Sequence, residues 1–178
     1  MDPALVRRAQ RGDVEAFTEL IAERIEPMSR TATAIIGNPA DARDAVQEAL
    51  ASIWRSLPSL RDPDRFEAWS MRIVVHASRR VASRRRRVSV RELSTEPSTG
   101  DLKPTGEAPI EAVVGRLALE RAFDRLDPDA RTILVLHHLD ERPLAEIAAV
   151  LGVPVGTVKS RLHAARVALE RALAREEA

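Results

Sequence analysis

Leu144-Ala145-Glu146-Ile147-Ala148-Ala149-Val150-Leu151-Gly152-Val153-Pro154-Val155-Gly156-Thr157-Val158-Lys159-Ser160-Arg161-Leu162 reads as two short helices that meet at a tight turn. The first is apolar and stops at Gly152, which lacks the Cβ that would oppose the backbone conformation of such a turn. Small Ala148 permits a close helix crossing. In the second helix Val158, Leu162, Ala165 and Leu169 recur at helical spacing, which predicts a buried stripe. Thr157, Lys159, Ser160, Arg161, His163 and Arg166 are left facing outward, a donor-rich surface suited to a major groove and its flanking phosphates. A plain helical hairpin with a solvated basic face is the alternative. Turn chemistry, spacing and outward donors agree on a helix-turn-helix instead.

Upstream of this motif the chain continues to read as helix. Asp2-Pro3 has the form of an N-cap and first helical position, and Gly12-Asp13 closes one helix and caps the next. From Val14 the apolar positions Phe17, Leu20, Ile21, Ile25, Met28, Ala32, Ile35 and Ile36 keep helical spacing to Gly37, with a kink expected at Pro27. Asn38-Pro39 starts a third helix that buries Ala42, Val46, Ala49, Leu50, Ile53 and Leu57 and stops at Pro58. Ser59 to Asp64 is a loop. Asp64 and Glu67 have capping-box spacing at the head of a fourth helix, where Phe66, Trp69, Ile73 and Val74 can face the core. Arg72, His76, Arg79, Arg80 and Arg84 lie too far round that helix to be buried cheaply.

Between Val88 and Pro109 periodicity gives way to Ser, Thr, Pro, Gly and acids, as in Thr95-Glu96-Pro97-Ser98-Thr99-Gly100. This is a linker; a flexible chain of that length spans roughly 25 Å and reaches about 70 Å when extended. After Ile110 a helix runs to Leu126, Asp127-Pro128 caps another that ends near Leu139, and the helix-turn-helix follows. No strand pattern occurs. The expected fold is all-α: a first small helical domain over 1–87, a flexible linker over 88–109, and a helix-turn-helix domain over 110–178.

Charge distribution points to a partner. The net charge is only +1, yet residues 68–91 carry eight arginines and no acid. A basic run is often a solvated face; this one begins inside an amphipathic helix and includes Ser78, Ser83 and His76, so it offers donors as well as charge to nucleic acid. Aromatic residues are 3% of the chain, so the core must be aliphatic. Absence of cysteine removes disulfides and thiolate chemistry and fits a reducing compartment, with cytoplasm the expected location. Met1 to Arg8 shows no signal peptide, and no apolar run is long enough for a membrane span, so no membrane insertion is expected. Catalysis lacks candidates. His137 and His138 are adjacent on a helix and cannot face one metal, no Gly-rich phosphate loop exists, and Asp140-Glu141 sits in a turn. No cofactor, metal or small-molecule substrate is expected.

Asp41-Ala42-Arg43-Asp44-Ala45-Val46-Gln47-Glu48, then Phe66-Glu67-Ala68-Trp69 and Arg72-Ile73, then the linker and Gly156-Thr157-Val158-Lys159-Ser160-Arg161-Leu162, together resemble extracytoplasmic-function sigma factors. The ordered match extends from about Ala9 to Leu173. The resemblance implies a promoter-melting domain, a helix-turn-helix domain, and partners in core RNA polymerase, promoter DNA and an anti-sigma factor. By position it implies polymerase docking through Asp41, Asp44, Gln47 and Glu48. It implies capture of a flipped promoter base by the loop containing Arg61, Asp62 and Asp64, and reading of the minus-ten element by Arg72, His76, Arg79, Arg80 and Arg84. Reading of the minus-thirty-five element falls to Thr157, Lys159, Ser160, Arg161, His163 and Arg166. Phe66 and Trp69 lie near the melting surface, but their spacing favours the core. The sequence departs from the family pattern where His76 replaces a common Asn, Arg80 a frequent acid and Ala164 a frequent Arg, so promoter specificity does not carry over. Two other readings compete: a helix-turn-helix regulator that binds an operator without polymerase, and a sigma-like protein that only sequesters another regulator.

Overall fold

A computed structural model describes residues 2–91 and 110–176, with the side chains of 89–91, 110–114 and 116 outside the description. The expected linker lies largely beyond these residues. All regular structure among the described residues is helical. The first unit contains α1 (Pro3–Gln10), α2 (Val14–Ala22), α3 (Ile25–Ile36), α4 (Pro39–Ser56) and α5 (Phe66–Arg91). The second contains α6 (Ile110–Arg125), α7 (Pro128–Leu134), α8 (Leu144–Leu151) and α9 (Val155–Ala174).

The helix starts follow short-range chemistry. Asp2 accepts from the Ala4 amide at 2.8 Å, Asp13 from Ala16 at 3.0 Å, and Asn38 from Ala40 and Asp41 at 3.0 Å. Asp127 accepts from Asp129 and Ala130 at 3.0 and 2.8 Å. Each satisfies amides that the first turn leaves without helical partners. Two expectations shift. The break between α2 and α3 falls at Glu23–Arg24, ahead of Pro27, which occupies the first turn of α3 where its missing N–H costs little. The residue that caps the entry to α5 is Asp62, not Asp64: it accepts from the Asp64 amide at 3.1 Å at the head of a 3-10 turn, Pro63–Arg65, that leads directly into α5. Glu67 is free of a capping role and pairs with Arg24 at 2.9 Å.

Helices α3, α4 and α5 pack against one another around Leu20, Met28, Ile35, Ile53, Leu57, Phe66 and Val74, all almost fully buried. The second unit closes on Ile133, Leu134, Leu136, Ile147, Val158 and Leu162. Between α7 and α8 the chain makes one π-helical stretch, Val135–Leu139, before a turn. The apolar interiors of the two units are contiguous, because α7 and α8 pack on α3 and α5. Helix α5 runs on to Arg91, into the segment read as linker.

Candidate nucleic-acid and polymerase interface

The predicted turn forms as expected. Gly152 ends α8 in the left-handed conformation, φ +68°, and its neighbour Val153 donates an amide hydrogen bond back to Ala148 at 3.1 Å. Helix α9 then buries Val158, Leu162 and Ala165, with Leu169 partly covered. Lys159, Ser160, Arg161, His163 and Arg166 are exposed, and Thr157 is half-buried. One end of this face is braced by a residue the sequence reading set aside. Arg166 donates toward Nε2 of His138 at 3.4 Å, which requires that nitrogen unprotonated. Burial, then the neighbouring His137 and Arg166 charges, push the His138 imidazole below its ordinary range and favour that state.

Helix α4 presents Asp44, Gln47 and Glu48 to solvent above the buried Ala42, Ala45, Val46 and Ala49. The structure separates the four expected docking residues into two kinds. Asp41 is ion-paired with Arg85, and Glu48 with Arg80 at 2.9 Å. Asp44 and Gln47 hold no side-chain partner among the described residues.

Arg72, Arg80 and Arg84 project from α5 into solvent, while His76 and Arg79 are half-buried. Burial first, then the cationic Arg79 and Arg72, lower the His76 pKa; hydrogen bonding to the Val150 backbone acts in the opposite direction. His76 is therefore neutral at pH 7 and carries one donor and one acceptor. Phe66 is fully buried and Trp69 partly so, with their rings 6.1 Å apart, which puts both with the core as their spacing suggested.

Arg61, Asp62 and Asp64 are exposed; Asp64 lies within the 3-10 turn described above, Asp62 caps it, and Arg61 precedes it in a bend of the expected loop. Asp62 is engaged as its cap and pairs with Arg65 at 3.3 Å. Sequence reasoning missed the buttress of the segment just before this turn, a second 3-10 turn at Leu57–Ser59. Gln10 of α1 donates both amide hydrogens to the carbonyls of Leu57 and Leu60, at 3.2 and 2.7 Å. A lone Gln at a helix end gives no local signal of a contact 50 residues away. Gln10→Glu is nearly isosteric but faces two carbonyls with a group that cannot donate. The variant is expected to lose about 1–3 kcal/mol in urea unfolding, and Gln10→Lys, which keeps donors, about half of that.

Among the described residues no cluster of three metal-ligating side chains exists, and no helix is long and apolar enough to cross a membrane. Two helical units, one ending in a donor-lined helix-turn-helix and the other carrying an arginine-rich helix beside an exposed acidic one, define an all-helical protein of the helix-turn-helix class.

Comparison with known proteins narrows this to a family. Residues 20–88 match the sigma-70 region 2 model and residues 116–169 the sigma-70 region 4 model. The RNA polymerase sigma-H factor of Pseudomonas aeruginosa is 31% identical over 97% of the chain and 93% of its own length. The ECF RNA polymerase sigma-E factor of Escherichia coli K12 is 33% identical over 95% and 92%. The solved structure of CnrH in complex with the cytosolic domain of CnrY superposes with a TM-score of 0.69 at 28% identity, covering 98% of this chain and 97% of that one. The chain belongs to the extracytoplasmic-function sigma factors of the sigma-70 family.

Proposed function

We propose that the chain directs core RNA polymerase to a specific set of promoters by a division of labour between its two domains. The first domain, 1–87, docks on polymerase through α4 and holds the melted minus-ten strand on α5. The second, 110–178, grips minus-thirty-five duplex with α9. Polymerase supplies all of the chemistry. The observation that carries this reading is that one chain presents two donor-rich surfaces on separate helices, α5 and α9, together with exposed Asp44 and Gln47 on a third. A single-operator regulator needs only the first kind of surface, and a sequestering protein needs no basic one. The site of action is the cytoplasm, where core polymerase and promoter DNA are found. An anti-sigma factor is proposed as a further partner, by extension from the Bartonella quintana sigma factor RpoE, which was solved with the anti-sigma factor NepR.

Transcription of fragmented genomic DNA from the source organism, by core polymerase with and without the chain, tests this. The expected result is a set of new RNA 5′ ends, dependent on the chain, that share two upstream sequence elements. DNA binding without new 5′ ends would instead identify an operator-binding regulator. Failure to do either would identify a sequestering protein.

Within α9, Arg161 is assigned to base reading. Arg161→Ala is expected to cost about 1–3 kcal/mol in binding of cognate minus-thirty-five duplex, the worth of a bidentate base contact. Titrations with cognate and scrambled duplexes check it; equal losses on both would move Arg161 to the phosphates.

A further inference from the structure

The segment between α7 and α8 departs from regular structure in two ways, and it ends in one contact with the recognition helix. Helix α7 widens into the π-helical stretch Val135–Leu139, which the Asp140 amide closes on the Val135 carbonyl at 3.0 Å. Glu141 follows in the left-handed region at φ +50°, the one residue with a side chain to do so among the described residues. Both conformations are unfavourable, persist only where their surroundings hold them, and recur at functional sites. The stretch carries two adjacent histidines, His137 half-buried and His138 exposed, with rings edge to face at 4.7 Å. Nε2 of His138 faces Nη2 of Arg166 on α9 at 3.4 Å.

Arg166 is held differently from the paired arginines of α5. Arg79, Arg80 and Arg85 are held by Asp129, Glu48 and Asp41. A carboxylate fixes an arginine but offsets its charge where phosphates must approach. A neutral imidazole accepts one N–H and leaves the guanidinium its full charge and its remaining donors. An unbraced arginine on an exposed helix loses rotamer freedom when it meets DNA. A braced one has lost part of it beforehand.

We propose that His138 is a positioning residue for duplex recognition: its neutral imidazole orients Arg166 toward the minus-thirty-five element, and its protonation releases Arg166. The inference rests on α9 being the duplex-reading helix, with Arg166 on its contact face. Protonated His138 carries N–H groups on both nitrogens, accepts from neither, and stands as a like charge beside Arg166. Burial, then His137 and Arg166, hold its pKa below the ordinary histidine value, so the brace is intact at neutral pH and is lost as pH falls. The other charged groups around the turn have partners of their own. Asp140, with Arg30 of α3 nearby, is hydrogen-bonded to Thr31 of α3 across the seam between the two units. Glu146 of α8 pairs with Arg142, and Asp129 and Arg131 of α7 pair with Arg79 and Asp124, while Glu141 is exposed on the turn itself.

The test measures the affinity of the full chain for a minus-thirty-five duplex, taken from a promoter found by genomic transcription, relative to its scrambled counterpart. Titrations run from about pH 7.5 to about pH 5, across the histidine range. The ratio isolates positioning. In the cognate complex helix and duplex share one register, whereas on scrambled DNA Arg166 can follow any phosphate, and added positive charge strengthens both complexes. For wild type the ratio is expected to fall about three- to tenfold as pH is lowered, the worth of one hydrogen bond. His138→Gln keeps an acceptor that does not titrate and should hold the neutral-pH ratio throughout. His138→Leu should give the low ratio at every pH, and should add nothing to Arg166→Ala. Circular dichroism of each variant should match wild type at each pH. If Arg166→Ala lowers the ratio and His138→Leu does not, α9 stands as the reader and positioning by His138 is overturned. If Arg166→Ala leaves the ratio unchanged, Arg166 lies outside recognition and both assignments fail. A fall with pH that persists in His138→Gln would place the titration at another group, such as Asp140 or His137, and overturn release by His138.

Discussion

Alanine at both Asp44 and Gln47 is expected to weaken binding to core polymerase by roughly 2–4 kcal/mol, about 30- to 1000-fold, without loss of helical structure. Both side chains are exposed on α4, and among the described residues neither has a side-chain partner to lose. The helix beneath them is held by Ala42, Ala45, Val46 and Ala49, which the substitutions do not touch. Alanine is also a better helix former than the Asp it replaces. Asp41 and Glu48 make poorer probes of the same surface, because each restrains an arginine of α5 and removing it would alter the DNA-facing charge as well. Equilibrium titration of labelled core polymerase, beside circular dichroism and thermal melting, decides the matter. Unchanged affinity with a native spectrum would remove the docking role from these two residues. A collapse in melting temperature would mean that they serve the fold.

Serine at Arg79, Arg80 and Arg84 together is expected to reduce open-complex formation and flatten its dependence on salt. Each arginine that follows a single-stranded backbone releases about 0.7 of a counterion, so losing three should make the logarithmic salt slope shallower by about 2. Arg79 also pairs with Asp129, so thermal melting of the triple variant accompanies the measurement; the other two arginines contribute little to the fold. Arg80 and Glu48 form an exposed pair, worth about 0–1 kcal/mol, and Arg84 is exposed. Polymerase affinity should survive, since docking is assigned to α4. His76→Ala provides the contrast: its imidazole is neutral, so the salt slope should hold while discrimination among minus-ten variants relaxes. Open-complex yield across a salt series measures both. An unaltered yield and slope in the triple variant would leave the arginines as a solubilising face.

Much of this architecture was legible because its determinants are local. Asp2, Asp13, Asn38 and Asp127 each cap within three residues of themselves, and Gly152 stops α8 by its own backbone preference. The buried stripe of α9 needed only helical periodicity. Misreadings arose where two local rules competed. Asp62 and Asp64 can both cap a helix, and the intervening Pro63 favours Asp62 by supplying the first position of a 3-10 turn. Pro27 marks a helix start as readily as a kink, and only tertiary packing distinguishes them. The domain seam had no sequence signal at all. Thr31 and Asp140 are 109 positions apart, and neither residue type announces a partner at that distance. The pairing of Asp41 and Glu48 with arginines of α5 was equally hidden, since spacing along a helix reports its faces and not what stands opposite them.

Permanganate reactivity at one promoter identified by the genomic transcription assay is the most direct measurement of the division of labour. Core polymerase and chain together should make thymines of the minus-ten region reactive on the non-template strand, and neither component alone should do so. Reactivity should drop sharply with Asp44→Ala and Gln47→Ala, fall and become less salt-dependent with the triple arginine variant, and keep its salt dependence with His76→Ala. Promoter opening by core polymerase alone, or a wild-type chain that protects duplex DNA without ever making a thymine reactive, would contradict the account.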